Sequence, residues 1–556
     1  MSRKTKGTKT SYIPGCNDLL FLPLGGTNEI GMNFSMLGHD GEWLVIDCGV
    51  TFNNSFGIDI ITPDPTFAVT NNSKIKGIFV THAHEDHIGA IEYLWPILKC
   101  PVYVTPFAAA ILKRKIETKS WASKVNIIKL KFNKKMDIGK FNIEAIQMTH
   151  SIPEPAAFVI KTPLGTVVHT GDWNLDQNPT IGEKVNENKL AKIGKDGVLA
   201  YFCDSTNIFV EENLNSESII RENLINLVSK HKDKRITVAC FASNIARVES
   251  VILAAQKADR KIAVIGRSLK RMLAAAQETG YLTQIPKLID EKAAMSMPSE
   301  KVLMLCTGSQ GENLSALVRI ASSKHPIVKM GEKDIVFFSS RVIPGNEKSI
   351  GELHNILALQ KVDIITSSEE NIHASGHASI KIIGDMYKLL QPRIVVPVHG
   401  EARHIIAQSH FARKSGIPIV ITPYNGALIQ LAGETPKIIK DIPVGRWAVD
   451  GNRMVNFNGN IIKERIKLSE EGAVFTTVIV EKNGIKKINV SVIGLEEYGK
   501  PISELVEYIN DSVIQEFSGI VTNNPSNTKS IAQYIFSVID QKFDKKPVVE
   551  VHIVTV

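Results

Sequence analysis

Thr81-His82-Ala83-His84-Glu85-Asp86-His87-Ile88-Gly89-Ala90 places three histidines and two carboxylates within six positions. The stretch follows an apolar run, Ile78-Phe79-Val80, that reads as a buried strand, and it precedes Ala90 to Leu94, which reads as a helix start. His82 and His84 are two apart, so in an extended segment both side chains leave the chain on one face. Asp86 and His87 fall in the turn toward the helix, where the chain reverses and can aim two more groups at a neighbouring point. Imidazole and carboxylate at this density suit zinc or a similar divalent ion, and four ligands split two and two suggest a pair of cations.

Apolar runs that end in chemistry-bearing loops recur along the chain. Leu20 to Leu24 and Glu42 to Asp47 read as strands, the second stopping at Asp47-Cys48-Gly49. Phe141 to Ile146 leads to Met148-Thr149-His150-Ser151, Thr166 to Thr170 leads to Gly171-Asp172, and Val198 to Cys203 leads to Asp204. Ile394 to Val398 leads to His399-Gly400-Glu401. Each adds a candidate ligand at a strand terminus, where loops from different strands converge. Between Ser216 and about Pro344 the pattern turns to alternating helix and strand, which predicts a parallel α/β unit covered on both faces. Its loops, among them Phe241-Ala242-Ser243-Asn244 and Ser339-Ser340-Arg341, are small and polar and suit phosphate binding. Ile442 to about Arg465 reads as a connection. Beyond it come a hairpin with a turn at Lys482-Asn483-Gly484, helices near Ile502 to Phe517 and Ser530 to Phe543, and a last strand from Val548.

The 556 residues exceed what one core can organise, and 44% apolar with 22% charged content is that of an ordinary globular protein. No run approaches membrane-spanning length, which predicts no membrane association and a cytoplasmic protein. Six cysteines without a CxxC pair read as buried thiols in a reducing compartment, leaving nitrogen and oxygen to build any metal site. The net charge of +8 is compatible with a polyanionic partner, although charge runs such as Lys113-Arg114-Lys115 more often mark solvated faces.

His-x-His-x-Asp-His, a later histidine at a strand end and an aspartate in Thr-Gly-Asp together resemble the metallo-β-lactamase superfamily. The α/β insertion bordered by Asp204, His377 and His399 is similar to that of its β-CASP nucleases. Leu24 to Asn33, Thr149 to Pro153, His373-Ala374-Ser375-Gly376-His377 and Pro397 to Glu401 resemble the bacterial ribonuclease J family. The resemblance implies an α/β fold: a metallo-β-lactamase αββα sandwich with an inserted parallel α/β β-CASP domain and a small α+β C-terminal domain. The corresponding boundaries are 1–214 and 371–446 for the sandwich, 215–370 for the insertion, 447–465 for a linker and 466–556 for the C-terminal domain.

The same resemblance implies two divalent ions per chain, zinc with manganese as the alternative. His82, His84 and His150 would hold one, Asp86, His87 and His399 the other, and Asp172 would bridge them. Such cations lower the pKa of water to roughly 7 and generate a hydroxide nucleophile at neutral pH. His377 is the candidate general acid, with Asp204 orienting its imidazole. Ser243, Asn244 and the His373, Ala374, Ser375, Gly376 and His377 segment would cradle a phosphate of the substrate. Glu85 points away by strand alternation and is read as structural, and His169 receives no role. The implied activity is hydrolysis of single-stranded RNA, 5′-to-3′ from 5′-monophosphate ends and also internally, in RNA maturation and mRNA decay, by a homodimer or homotetramer. Amides in Val50 to Ser55 put an auxiliary cation site in doubt. The competing readings are a β-CASP nuclease acting on DNA or solely as an endoribonuclease, a non-catalytic RNA-binding scaffold, and, more distantly, a small-molecule hydrolase.

Overall fold

The computed structural model describes residues 11–211, 215–482, 484–517, 519 and 524–556. Two sheets pack face to face around one apolar core. The first has eight strands in the order Lys437–Asp441, Ala427–Gln430, Leu19–Gly25, Phe34–His39, Glu42–Ile46, Ile75–Phe79, Val102–Val104 and Ile127–Lys129. The second has seven, in the order Lys135–Ile138, Phe141–Gln147, Ala156–Thr162, Gly165–His169, Ala200–Asp204, Ile394–Val398 and Ile419–Val420. Phe21, Leu44 and Phe79 of the first meet Phe158, Phe202 and Val396 of the second in that core. Period-two alternation sends the other face of the second sheet outward. There Val159, Tyr201 and Val395 meet Leu190, Ile383 and Met386 of the helices Glu187–Asp196 and Ile380–Leu390. This is the expected αββα sandwich.

Strand direction is what builds the site. Gly165–His169, Ala200–Asp204 and Ile394–Val398 run parallel, with His169 opposite Phe202 and Asp204 opposite Val398. Their carboxyl ends therefore share one edge, and Asp172, Asp204 and His399 leave it side by side. In the first sheet Glu42–Ile46 and Ile75–Phe79 are also parallel, which brings Asp47 beside the start of the Thr81 motif. Parallel neighbours require crossover connections, and Ile91–Leu98, the helix expected after the motif, supplies one of them.

The insertion holds a five-stranded parallel sheet, ordered Lys261–Ile265, Val302–Cys306, Arg235–Ala239, Asp334–Phe338 and Asp363–Thr366. Its all-apolar strands are buried along nearly their whole length, as expected of a sheet with two covered faces.

Chain contacts separate a second compact unit, Phe52–Ile61 with Gly445–Val556. It contains a sheet in which Ala473–Glu481 pairs antiparallel with Gly484–Ile493 and parallel with Val548–Thr555, closed on one face by Ile502–Glu516 and Pro525–Phe543. The hairpin and both helices were legible; Asn483 of the expected turn lies outside the described residues. Two readings need correction. Residues 447–465 are not an irregular linker: Arg446–Asp450 and Arg453–Asn456 pair antiparallel, and the helix Asn460–Glu471 follows. Within the amide-rich stretch, Thr51–Ser55 is an edge strand of the sheet formed with Ile58–Pro63 and that pair. Short strands rich in Asn and Asp carry little apolar periodicity, which hides them. Likewise Cys16 is exposed, whereas the other five cysteines are buried. No helix among the described residues is long and apolar enough to cross a membrane.

Phe202 sits at the centre of the sandwich, fully buried and stacked on Phe21 with 4.0 Å between ring centroids. Phe202→Ala is expected to cost about 3–5 kcal/mol, read as a lower thermal midpoint, because packed strands on both sides prevent the void from collapsing.

Candidate metal centre

Asp47 organises the motif from outside it. Its backbone is left-handed, with φ at 61°, and its carboxylate is buried. It accepts the Thr81 backbone N–H at 2.7 Å, the Thr81 hydroxyl at 2.9 Å and the His87 Nδ1–H at 2.7 Å. Two residues on, Gly49 lies against the Asp86 carbonyl so closely that a Cβ would stand 1.7 Å from it. The strand can then close on the short helix Glu85–Ile88, which His84 caps in extended conformation.

Five histidines each spend one ring nitrogen on the protein and turn the other inward. His82 Nδ1–H donates to Thr81 Oγ1 at 3.0 Å, and its Nε2 faces His84 Nδ1 at 2.9 Å. His84 Nε2–H donates to Ser243 Oγ at 3.0 Å. His150 Nδ1–H donates to the Gly376 carbonyl at 2.6 Å, leaving Nε2 3.1 Å from His84 Nδ1. His87, held by Asp47, points Nε2 at Asp172 Oδ2, 3.2 Å away. His399, also left-handed with φ at 52°, donates Nδ1–H to Thr206 Oγ1 at 2.8 Å and turns Nε2 to Asp86 Oδ2 at 3.1 Å. Outer partners of this kind fix both tautomer and ring plane of a ligating imidazole.

Three groups could each hold a cation: His82, His84, His150 with Asp172; Asp86, His87, His399 with Asp172; and Asp204, His377, His399 with Asp172, which overlaps the second. Asp172 is common to all, and its Oδ1 is buried without a hydrogen-bond donor among the described residues. Burial pushes His84 down to about 4 against the pull of Asp86 and Asp172, and it pushes His150 down to about 3. These imidazoles are thus neutral, with lone pairs free, at pH 7. Burial would raise Asp172, but His399, His87 and His377 hold it well below the usual carboxylate range. Burial would lower His87 and His399 too, but the surrounding carboxylates, Asp172 first, raise both, His399 to about 10. A cation in that group would therefore replace a proton on each imidazole. The neutral imidazoles of the other group, with the ionised shared carboxylate and its undonated oxygen, suit a divalent ion directly.

Beside this cluster His377 and Asp204 pair at 2.7 Å between Nδ1 and Oδ2. Burial would lower His377, yet Asp204 and Asp172 raise it above its ordinary value. Thr206 donates its hydroxyl to Asp204 Oδ1 at 2.7 Å, so one carboxylate serves the His377 and His399 positions together.

The structure brings all seven expected ligand positions together and places the expected acid pair next to them. The expected phosphate cradle divides. Ser243 is engaged with His84 Nε2. Asn244 caps the helix Ile245–Lys257, accepting the Arg247 N–H at 2.9 Å and donating to Glu217 at 3.2 Å, so its amide is occupied. Ser375 Oγ accepts from Asn207 at 2.8 Å, and Gly376 serves His150. His373 Nδ1 is buried without a partner among the described residues, and burial with Arg247 and Arg341 pushes this imidazole down to about 3. Ala374 is buried beside it. Glu85 turns from the cluster and pairs with Lys115 at 2.8 Å, while Arg114 pairs with Glu278 at 2.6 Å, which uses up most of that basic run. His169 accepts the Gly171 N–H at 3.1 Å and stays outside both groups. Sequence reasoning missed Asp47, Thr81, Thr206 and Arg247. Only Asp47, at a strand end two residues before Gly49, carried a signal.

Comparison with known proteins agrees with this architecture. Four family profiles match: "Metallo-beta-lactamase superfamily" over 30–180, "Ribonuclease J, beta-CASP domain" over 233–357, "Zn-dependent metallo-hydrolase RNA specificity domain" over 362–423 and "Ribonuclease J C-terminal domain" over 460–556. A Ribonuclease J of Sinorhizobium meliloti is 38% identical across 97% of this chain and 98% of its own length. The chain belongs to the ribonuclease J family. Further members include a Ribonuclease J of Synechocystis, 36% identical over 84% of this chain and 73% of its own, and Ribonuclease J 1 of Streptococcus pyogenes, 34% identical over 84% of each. Among solved structures, a protein of unknown function from Enterococcus faecalis shares the fold, with a TM-score of 0.53 at 18% identity, over 74% of this chain and all of its own.

Gly376→Ala would drive a Cβ to 2.6 Å from His150 Nδ1. It is expected to lower divalent metal content, measured by elemental analysis of the purified chain, and so is His84→Ala, which removes a candidate ligand directly. Undiminished metal in both variants would refute the three-histidine group.

Proposed function

We propose that this member of the family, a metal-dependent ribonuclease, degrades single-stranded RNA 5′-to-3′ from 5′-monophosphate ends and also cuts internally, in cytoplasmic RNA maturation and mRNA decay. The observation that carries the reading is the His377–Asp204 pair set against the two ligand groups that share Asp172. His82, His84, His150 and Asp172 would hold one divalent ion, and Asp86, His87, His399 and Asp172 the other, with zinc or manganese suiting the donor set. When bound, the ions supply Lewis acidity toward a phosphate oxygen and lower the pKa of water for attack at phosphorus.

The chain's own side chains do the rest. Asp172 stays ionised and fixed between the groups. Asp204 keeps a proton on His377 Nδ1 and stabilises the imidazolium, so that Nε2–H can protonate the departing 3′ oxygen. His150, one ring away from His377 at 5.0 Å between centroids, stays neutral because burial and the neighbouring imidazoles outweigh Asp172 and the Gly376 carbonyl. A 5′ phosphate is accommodated next to His373, Ala374 and Ser375, where a cleft of about 1040 Å³ also presents Ser340, Arg341, Ser367 and Ser368. Backbone and hydroxyl groups beside one guanidinium suit a terminal phosphate better than a ribose. Assembly into a homodimer or homotetramer is supported by Phe475, Ile493 and Val554, which are exposed on the open face of the C-terminal sheet.

The test is cleavage of matched 5′-monophosphate, 5′-triphosphate and circular RNA alongside DNA. Fastest loss of the monophosphate species, with slower opening of the circle, is expected; preferred cleavage of DNA would overturn the reading. The acid form of His377 is complete at low pH and lost as pH rises through its raised pKa. Removing the carboxylate charge with Asp204→Asn lowers that pKa, so the alkaline limb of the kcat profile is expected to move toward lower pH. His377→Ala should slow turnover while sparing bound metal, and equal loss of metal would make His377 a ligand.

A further inference from the structure

The insertion reaches the site through a buried cation. Arg247, on the helix Ile245–Lys257, is fully buried. Its Nη1 donates to the Ser339 carbonyl at 2.9 Å, to Ser339 Oγ at 2.7 Å and to the Ile372 carbonyl at 2.8 Å. Nη2 and Nε donate to the two oxygens of Glu217 at 2.8 and 3.2 Å. Ser339 Oγ passes its own proton to the same Ile372 carbonyl at 2.7 Å.

From Glu217 the bonds continue into the metal domain. The Glu217 N–H donates to Asp176 Oδ2 at 3.0 Å, and the Asp176 N–H donates to Thr149 Oγ1 at 3.1 Å. Thr149 donates to the Asn174 carbonyl at 2.7 Å, and Asn174 Nδ2 donates to the Ser375 carbonyl at 3.0 Å. The circuit begins at Ile372 and returns at Ser375. It thus brackets His373 and Ala374 and ends directly before Gly376 and His377, and on its way it fixes the residue before His150.

We propose that Arg247 is a positioning residue: through the Ile372 carbonyl it sets the His373–His377 segment so that the Gly376 carbonyl orients His150 and His377 faces the leaving oxygen. The inference rests on the functional reading above and deepens it. The geometry needs a guanidinium, whose planar fork meets a carboxylate on one side and two carbonyls on the other. A lysine ammonium has three donors and no fork.

A second buried pair gives the control. Arg235 and Asp334 meet at 2.6 Å and open two neighbouring parallel strands, so they lie at the opposite edge of the same sheet from the site. The experiment compares Arg247→Lys, Ser339→Ala and Arg235→Lys in the full metal-loaded chain, reading kcat and KM on a 5′-monophosphate oligoribonucleotide, bound metal, and the folded fraction. Arg247→Lys is expected to lower kcat on the order of 10²-fold, at little change in KM. Ser339→Ala should act in the same direction more weakly, and Arg235→Lys should lower the thermal midpoint while leaving kcat per folded molecule unchanged. Parallel loss of kcat in the two arginine variants, or wild-type kcat in folded Arg247→Lys, would overturn the inference. If Arg247→Lys does not fold, Ser339→Ala decides: unchanged kcat there overturns it. A wild-type chain that fails to cut RNA would instead sink the functional reading.

Discussion

Asp47 is the fixed point of the site. A carboxylate buried this completely is tolerated only when its oxygens are met by donors, and here a backbone N–H, a hydroxyl and an imidazole N–H meet them together. The left-handed backbone needed to aim it is strained for a non-glycine residue, and the three bonds hold it there. Thr81 relays the same anchor to His82, and His87 receives it directly. The orientation of half the motif is therefore set by a residue on a neighbouring strand, before any cation is considered.

The inserted unit does more than roof the cleft. Ser243 and the Gly376 carbonyl are the outer partners of His84 and His150, so two of the three imidazoles in one ligand group take their tautomer from the insertion and the segment that follows it. His87 and His399, by contrast, are anchored by Asp47 and Thr206.

Legibility in the sequence followed the physics of each feature. Apolar runs buried on two faces, such as Val302–Cys306 and Ile394–Val398, were readable to the residue because burial demands a continuous pattern. The candidate ligands stood out because a divalent cation accepts few side-chain types, and those types fall at strand ends. The edge strands Thr51–Ser55 and Arg453–Asn456 were not readable, since strands of four or five residues with so few apolar side chains are too short and too polar to show an alternation. Outer partners were hidden for a different reason. Threonine, serine and arginine occur everywhere, and nothing in Thr206 or Arg247 distinguishes it from a surface residue until the fold buries it. Asn244 shows the converse: a polar residue in a promising loop whose amide is spent on capping a helix.

Two histidines in one pocket end with opposite charge preferences, and that difference assigns their work. His150 and His377 are both removed from water, which by itself disfavours the imidazolium in each. His150 donates to a neutral carbonyl and lies beside other imidazoles, so it falls to about 3 and remains a lone-pair donor. His377 donates to the Asp204 carboxylate with Asp172 nearby, so it rises and retains its proton. Neighbouring groups driven apart in this way are what acid and ligand roles require at one pH. Exchanging the two outer partners would exchange the roles. The carboxylate at the end of Ala200–Asp204, more than either histidine, therefore decides which imidazole holds a proton.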